Sequence, residues 1–178
     1  VVRCFEDADI AHVEGGIDPL RDIEIITTEL CLADLDTVEK RLVKTQKLTK
    51  SGNKEAKAEE EALQKIAALL GDAKPARKAE LTEDERGLVR DLNLLTMKPV
   101  LYVANVAEDE AATAEAENPF VQKVKAHAAK EGAEVVAISA RVESEIAELA
   151  PEEATEFLET LGLSESGLDR LIKAAFSL

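Results

Sequence analysis

The chain has 178 residues, with 22 Lys and Arg against 37 Asp and Glu, so its formal net charge is −15. Hydrophobic residues make up 46% of it and charged residues 33%, a composition that supplies a real core and excludes a wholly disordered chain. Aromatic residues are only 3%, which argues against a base-stacking platform of exposed rings. No apolar run is long enough to span a membrane and no signal-peptide pattern opens the chain, so we expect a cytoplasmic protein.

The first five residues, Val1 to Phe5, form a short apolar run that predicts a strand. Because the chain opens inside this strand without a Met, we expect it to be a piece of a longer protein. Cys4 and Cys31 have no Cys-x-x-Cys spacing and no companion His cluster, which is typical of reduced structural thiols.

Helical periodicity dominates the next part of the chain, where Asp22 is a candidate N-cap. The predicted apolar stripe of the first helix consists of Ile26, Leu30, Ala33 or Leu35, Val38 and Leu42. Ser51, Gly52 and Asn53 interrupt the pattern before a second helix, whose stripe consists of Ala56, Leu63, Ile66 and Leu70. Two amphipathic helices joined by a tight turn predict an antiparallel, coiled-coil-like hairpin.

A third helix opens at Thr82, which forms a Thr-x-x-Glu capping box with Glu85, and we expect it to run to about Thr96. Two later apolar runs, 99–105 and 134–140, predict strands covered on both faces. A helical pattern lies between these runs, from Asn118 to Gly132, and two more helices follow at 151–161 and 167–178.

Strand, helix and strand with short joins predict a right-handed crossover and a parallel sheet. The predicted fold class is therefore α/β, a partial parallel sheet with flanking helices, interrupted by the helical hairpin. Residues 1–22 would hold the first strand and a loop, residues 23–97 the hairpin insertion, and residues 98–178 the remainder of the sheet domain.

Polar residues follow both late strands at the edge where open parallel sheets bind ligands. Asn105 and Glu108 follow one strand and can present an amide and a carboxylate to the edge of a base. Ser139 and Ala140 follow the next strand, where a small turn lets backbone N–H groups approach the same ring. Either motif alone is more typical of a turn, but their occurrence 34 residues apart on adjacent strands predicts a base pocket.

Several short motifs along the whole chain occur together in one family. They are Val2-Arg3-Cys4-Phe5, His12-Val13, Asp18-Pro19, Asp22-Ile23-Glu24, the run from Lys98-Pro99 to Asn105-Val106-Ala107-Glu108, Asn118-Pro119, and Ile138-Ser139-Ala140 with Glu143 to Leu149. On these residues the chain resembles the YchF group of the Obg-related P-loop NTPases. The resemblance implies that the chain contributes to an NTPase domain.

The resemblance also assigns the base-site residues. Asn105 and Glu108 match the Asn-x-x-Glu element that this family has where ordinary GTPases have Asn-Lys-x-Asp, and Ser139 and Ala140 match the neighbouring Ser-Ala loop. Val106 takes the position of the Lys whose stem lies along the base plane. Glu is one methylene longer than Asp and cannot hold the same two-point contact with guanine, so the site selects guanine less strongly over other bases. The resemblance therefore implies a purine nucleotide ligand, ATP as well as or better than GTP.

For the intact protein the resemblance implies Mg²⁺-dependent hydrolysis of the γ-phosphate, coupled to a change in affinity for a macromolecular partner. Full-length relatives would also have a Gly-rich phosphate loop, a Mg²⁺-binding Thr region, an Asp-x-x-Gly element and a C-terminal TGS domain, and we assign none of these four parts to residues of this sequence. We therefore expect no catalytic and no metal-ligating residues here, and no hydrolysis by this chain alone.

Basic residues are concentrated at the tip of the predicted hairpin. They are Lys40, Arg41, Lys44, Lys47, Lys50, Lys54 and Lys57. Only Glu55 offsets them, so this span carries +6 in a chain of −15. The pattern suggests contact with phosphates, with RNA in a ribosome as the first target, although Lys and Glu on exposed helix faces also serve solubility alone. The alternative for the whole chain is a non-catalytic protein or RNA interaction module that uses the hairpin.

For two other groups of polar residues the sequence predicts no catalytic role. His12 and His127 have no nearby Ser, Cys or Asp arrangement that their spacing supports, so we expect neither to be catalytic. Glu143, Glu145 and Glu148 are predicted to form a solvent-exposed helix face. The sequence indicates no particular oligomeric state.

Overall fold

Residues 1–6 and 16–178 are described by the computed structural model, and within them the chain forms three strands and eight α-helices. In chain order these are β1 (Val2–Arg3), α1 (Pro19–Thr49), α2 (Lys54–Gly71), α3 (Glu83–Val89), β2 (Leu101–Asn105), α4 (Ala114–Glu117), α5 (Pro119–Glu131), β3 (Glu134–Ile138), α6 (Ala140–Ile146), α7 (Pro151–Thr160) and α8 (Gly167–Phe176). They divide into a sheet unit, residues 1–23 and 100–178, and a helical unit, residues 24–99. None of the described helices is long and apolar enough to cross a membrane.

The sheet unit is built on three parallel strands in the order β1-β2-β3. Ala104 of β2 lies opposite Val2 of β1, and Asn105 lies opposite Ile138 of β3. Between β2 and β3, α5 begins at an Asn118 cap whose side-chain oxygen accepts two backbone N–H bonds, and it ends at Gly132 with φ +66°. The α/β class and the strand–helix–strand unit predicted from the sequence are thus confirmed.

An aliphatic core explains the continuous apolar runs of the strands. Tyr102, Val103 and Ala104 are consecutive and all buried, because β2 is the central strand and is covered on both faces. The core of the sheet unit consists of Val2, Cys4, Ile23, Tyr102, Ala104, Val106, Ala114, Val121, Val124, Ala128 and Ala137. This packing brings the carboxyl ends of β2 and β3 to one edge.

The helical unit contains an antiparallel hairpin made by α1 and α2. The reversal uses Gly52 at φ +86°, and the Asn53 side chain then caps α2 by accepting from Ala56 N. The unit has its own core, which consists of Cys31, Val38, Ala62, Leu63, Ile66, Leu70, Ala76, Ala79, Val89 and Leu94. The hairpin predicted from helical periodicity is therefore present.

The start and the first turns of α1 differ from the sequence prediction. The helix begins at Pro19, and the Asp18 carboxylate accepts from Leu20 N at 3.2 Å, so Asp18 is the cap in place of Asp22. Ile26 is 55% exposed and Leu30 38% exposed, although both belong to the predicted apolar stripe. At 31 residues α1 is about 46 Å long against about 27 Å for the 18 residues of α2, so α2 cannot cover these turns.

The third helix is also shorter than predicted, because α3 ends at Val89. A 3₁₀ turn follows at Arg90–Leu92, and Asn93 then adopts a left-handed conformation with φ +49°. The Asp34 carboxylate accepts from the backbone N of Leu95 at 2.8 Å and of Thr96 at 2.7 Å. These bonds replace the i→i−4 bonds that would have continued the helix.

Candidate nucleotide-base site

The ends of β2 and β3 are joined by one side chain. Asn105 is the last residue of β2, and its Oδ1 accepts a hydrogen bond from the backbone N of Ala140 at 2.9 Å. Ala140 is the first residue of α6, directly after Ser139. The Asn-x-x-Glu and Ser-Ala motifs, which are far apart in the sequence, therefore meet at one point of the sheet edge.

A cavity of about 530 Å³ lies at this edge, and Asn105, Val106, Glu108 and Ser139 contribute to its lining. Ser139 is only 3% exposed, and its Oγ has no hydrogen-bond partner among the described residues. A buried hydroxyl without a partner loses its bonds to water and gains none in return. Ser139 thus adds a buried hydroxyl without a partner to the residues that line the cavity.

Glu108 is held by a residue that the sequence analysis did not single out. Arg141 Nε lies 3.0 Å from Glu108 Oε2, and it also lies 3.5 Å from Glu145 Oε1 one helical turn along α6. The Arg141 side chain is 75% exposed, so this ion pair is screened by water. The only signal for Arg141 in the sequence is its position directly after the Ser-Ala motif.

Val106 and Ala140 contribute mainly through their backbones. Val106 N donates to Ile138 O at 2.9 Å, which extends the pairing of β2 and β3 by one bond. The Val106 side chain is 3% exposed, so it packs in the core while it also lines the cavity. The N–H of Ala140 is already engaged by Asn105.

Asn118 supports the turn that follows β2. Its Nδ2 donates to the carbonyl of Cys4 at 2.9 Å and to Glu110 Oε2 at 2.7 Å. One amide therefore ties the end of β1, the 3₁₀ turn Glu108–Glu110 and the start of α5 together. Because Glu108 belongs to that turn, this network holds its backbone in place.

Glu143 differs from the prediction of a solvent-exposed glutamate. Its Oε1 accepts from Gly167 N at 2.7 Å and its Oε2 from Leu168 N at 3.1 Å, so it caps the N-terminus of α8. The prediction was wrong for Glu143 because its partners lie 24 and 25 residues away, beyond any local spacing rule.

The seven basic residues of the hairpin fall into two groups. Lys40 pairs with Asp36 at 2.6 Å, and Arg41 pairs with Glu59 at 2.6 Å and with Asp91 at 3.1 Å. The bond to Glu59 is the main reason why the pKa of Arg41 lies above its ordinary value. The other five are exposed and have no ion-pair partner among the described residues; they are Lys44, Lys47, Lys50, Lys54 and Lys57.

Of the two histidines, only His127 lies within the described residues. His127 packs edge-on against the Tyr102 ring at 5.7 Å, and its Nε2 lies 4.0 Å from Glu131 Oε2. His12 lies outside the described residues. Within residues 1–6 and 16–178 there is no group of three or more His, Cys, Asp and Glu side chains that could hold a metal ion.

Comparison with known proteins gives a consistent result along the whole chain. No protein-family model matches it. It is 53% identical over all 178 residues to the ribosome-binding ATPase YchF of Bacillus subtilis strain 168. The corresponding identity is 49% for the protein of the same name from Haemophilus influenzae and 47% for that of Escherichia coli O157:H7. In each case the match covers 100% of this chain and 48% of the relative, so the chain spans about half the length of these relatives.

A solved structure supports the same relationship at the level of the fold. The structure of the Schizosaccharomyces pombe YchF GTPase superposes on 99% of this chain with a TM-score of 0.81 and 33% sequence identity, and the match covers 48% of that chain. Sequence identity over every residue and a common fold point to the same group of proteins. The chain therefore belongs to the YchF family of P-loop NTPases.

Proposed function

We propose that this chain supplies the base-binding half of a nucleotide-dependent switch. In the whole protein the switch would bind and hydrolyse ATP, or GTP, with Mg²⁺ and would associate with the ribosome in the cytoplasm. The observation that carries the proposal is the bond from Ala140 N to Asn105 Oδ1, which joins the two predicted base-binding motifs beside one cavity. The similar proteins are named ribosome-binding ATPases and a GTPase, which supports the same function.

The free polar groups of the cavity suit the edge of a purine. Asn105 uses Oδ1 for Ala140 and keeps Nδ2 as a donor, while the unpartnered Ser139 Oγ can donate or accept. We assign no hydrolytic step to this chain. The reason is that its sequence has no Gly-rich phosphate loop.

The pairing of Glu108 with Arg141, although exposed to water, would weaken selection for guanine. Guanine presents two adjacent donors, N1–H and the N2 amine, which need a free carboxylate held at a fixed depth. Here the Glu108 carboxylate is already bonded to Arg141 at 3.0 Å, so guanine would have to compete with that cation. Adenine has no donor at either of these positions, so the pairing of Glu108 with Arg141 does not weaken its binding. The arrangement therefore supports binding of ATP at least as well as GTP.

Displacement of a fluorescent nucleotide tests the base site, with the 178-residue chain and with a version extended at its N-terminus. We expect ATP to displace the probe better than GTP, Glu108→Asp to narrow that difference, and Asn105→Ala to weaken both nucleotides. Glu145→Asp is the matched control, because Glu145 also contacts Arg141 but does not line the cavity. The proposal is wrong if neither form binds a nucleotide, or if folded Asn105→Ala binds as tightly as the wild type.

The hairpin tip supports a second part of the proposal, contact with ribosomal RNA. Lys44 and Lys47 lie three residues apart on α1, and Lys50, Lys54 and Lys57 follow around the turn. All five are exposed and have no carboxylate partner in the described part of the chain, so their charge is available to phosphates.

Ribosome co-sedimentation at several salt concentrations tests the tip. Reversing Lys44, Lys47 and Lys50 to Glu should weaken binding and flatten its salt dependence, by about 0.9 in log–log slope for each phosphate that is no longer neutralised. Reversing Lys123, Lys125 and Lys130 on α5 changes the net charge equally and should have a much smaller effect. Equal effects of both triple variants would contradict a role for the tip. Tip-dependent binding together with no nucleotide binding would instead favour a non-catalytic interaction module.

A further inference from the structure

A second cavity, of about 440 Å³, lies within the helical unit beside α3. Its walls come from α3 and from the segment that returns after it, which includes Asn93, Leu94 and Lys98. We call it the α3 cleft. None of its lining residues belongs to the base site or to the basic hairpin tip.

The fold holds the shape of the α3 cleft before any ligand binds. The left-handed Asn93 reverses the chain after α3, so that Leu94 enters the core with 3% exposure. The next residues are fixed by the buried Asp34, which accepts from Thr96 N and from Thr96 Oγ1, each at 2.7 Å. A binding surface anchored in this way loses little conformational entropy on association.

Positive charge predominates in the lining of the α3 cleft. Arg86, Arg90 and Lys98 line it, are exposed, and make no side-chain ion pair or hydrogen bond with any residue in the described part of the chain. Glu83 is the one carboxylate in the lining. The lining therefore has more positive than negative side chains, although the whole chain has a net charge of −15.

The acidic residues next to these cations in the sequence form ion pairs with other residues. Glu85 bonds to Lys65 at 2.6 Å, which together with the Thr82 backbone holds the pKa of Glu85 below its ordinary value. Asp91 lies 3.1 Å from Arg41. The two carboxylates closest in sequence to Arg86 and Arg90 are thus turned to other partners.

Apolar residues also belong to the lining of the α3 cleft. Val89 and Leu94 are each 3% exposed, and Met97 is half-buried and adaptable in shape. The lining contains no aromatic ring on which a nucleic-acid base could stack. Exposed cations together with aliphatic side chains in one cleft instead complement a peptide that carries carboxylates beside an apolar side chain.

We propose that the α3 cleft binds an acidic peptide segment of a protein partner. An aliphatic or aromatic side chain of the peptide inserts between Val89, Leu94 and Met97. Carboxylates on either side of it pair with Arg86, Arg90 and Lys98. The partner is therefore a protein with an acidic segment that carries an apolar anchor, and none of the cleft's lining residues belongs to the base site.

Fluorescence anisotropy of a labelled peptide tests the proposal on the 178-residue chain. The probe is a peptide of about ten residues in which Asp and Glu alternate with Leu and Phe. We expect binding that weakens as salt rises and that falls by about tenfold or more in Arg86→Glu/Arg90→Glu, since attraction becomes repulsion. Met97→Gln should weaken binding with little change in salt dependence, as should replacing the apolar residues of the probe with Ser.

The hairpin tip provides the matched control. Lys44→Glu/Lys47→Glu changes the net charge by the same amount and should leave peptide binding unchanged, with circular dichroism confirming that both double variants fold. The proposal is overturned if the probe does not bind, or if both double variants weaken it equally. Tighter binding of a uridine oligonucleotide, lost in Arg86→Glu/Arg90→Glu, would also overturn it and identify the cleft as an RNA surface.

Discussion

At the scale of single residues, Gly167 shows how a close contact restricts a side chain. A Cβ on Gly167 would lie 2.5 Å from Ile138 Cγ2 and 2.9 Å from Glu143 Oε1, closer than real Cβ contacts. Glu143 cannot move away freely, because its carboxylate caps α8 through the N–H groups of Gly167 and Leu168. The start of α8 can therefore pack on β3 only where residue 167 has no side chain.

Gly167→Ala should destabilise the sheet unit by about 1–3 kcal/mol through overpacking. Urea unfolding followed by circular dichroism measures this change. Gly71→Ala is the control, because Gly71 ends α2 with no atom within 4 Å of the place where an added methyl group would lie, and it should be neutral or slightly stabilising. Equal stability of Gly167→Ala and the wild type would show that Ile138 can yield to the methyl group.

Cys4 predicts a pH dependence of stability. Burial, and then the charge of Glu110, raises the pKa of the Cys4 thiol from 9.0 to about 11. The folded state therefore favours the neutral thiol. This contribution is fully present below pH 9, and as the pH rises toward 11 the folded state loses about 2–3 kcal/mol of stability. Urea unfolding should show a smaller loss of stability between pH 8 and about pH 11 in Cys4→Ala than in the wild type. An equal loss in both would contradict this account.

At the scale of elements, the helical unit depends on a buried carboxylate that links distant segments. Asp34 on α1 is 3% exposed and accepts three bonds, from Leu95 N, Thr96 N and Thr96 Oγ1. Thr96 Oγ1 in turn accepts from Ala76 N at 3.0 Å. These bonds join α1, the segment after α2 and the 3₁₀ turn at Leu95–Met97.

Asp34→Ala should destabilise the chain by about 3 kcal/mol or more, because it leaves buried backbone N–H groups without an acceptor. Asp36→Ala, two residues away, removes only an exposed pair with Lys40 and should cost less than about 1 kcal/mol. Chemical denaturation of both variants measures the difference. Similar values for the two would mean that water or a neighbouring group replaces the Asp34 carboxylate.

At the scale of the whole molecule, the two units have separate cores. All ten residues of the helical core lie between positions 31 and 94, inside residues 24–99. The Arg41–Glu59 pair and the Asp34 bonds also lie within that unit. The helical unit therefore contains the contacts it needs to fold.

Residues 24–99 expressed alone should form a helical protein with a cooperative thermal transition, because their apolar residues are buried against one another. Circular dichroism and a melting curve provide the measurement. A non-cooperative curve would show that the hairpin relies on the sheet unit for its stability. Leu63→Ala in the isolated segment, which removes a fully buried side chain, should lower the melting temperature or abolish the transition.

Patterns within short windows of sequence were enough to predict the main elements. The apolar runs of β2 and β3, the Asn118 cap of α5 and the reversal at Gly52 all follow from local chemistry, because strand burial, capping and turn formation involve residues close in sequence. The same local patterns located the Asn-x-x-Glu and Ser-Ala motifs, since parallel strands place their carboxyl ends at one edge. The α/β class and the helical hairpin were determined at this level.

Only the tertiary structure decided which of these residues meet and which remain free. The Asn105–Ala140 bond, the Arg141–Glu108 pair and the capping of α8 by Glu143 join side chains to groups far away in sequence or on another element. Periodicity could not predict that Ile26 is exposed, because burial depends on the length of the helix packed opposite. Net charge likewise gave no sign of the α3 cleft, whose cations are unpaired because the neighbouring carboxylates, Glu85 and Asp91, have partners on other helices. Spacing along the sequence determines which helix, strand or turn a residue can form, and packing determines which distant residue becomes its partner.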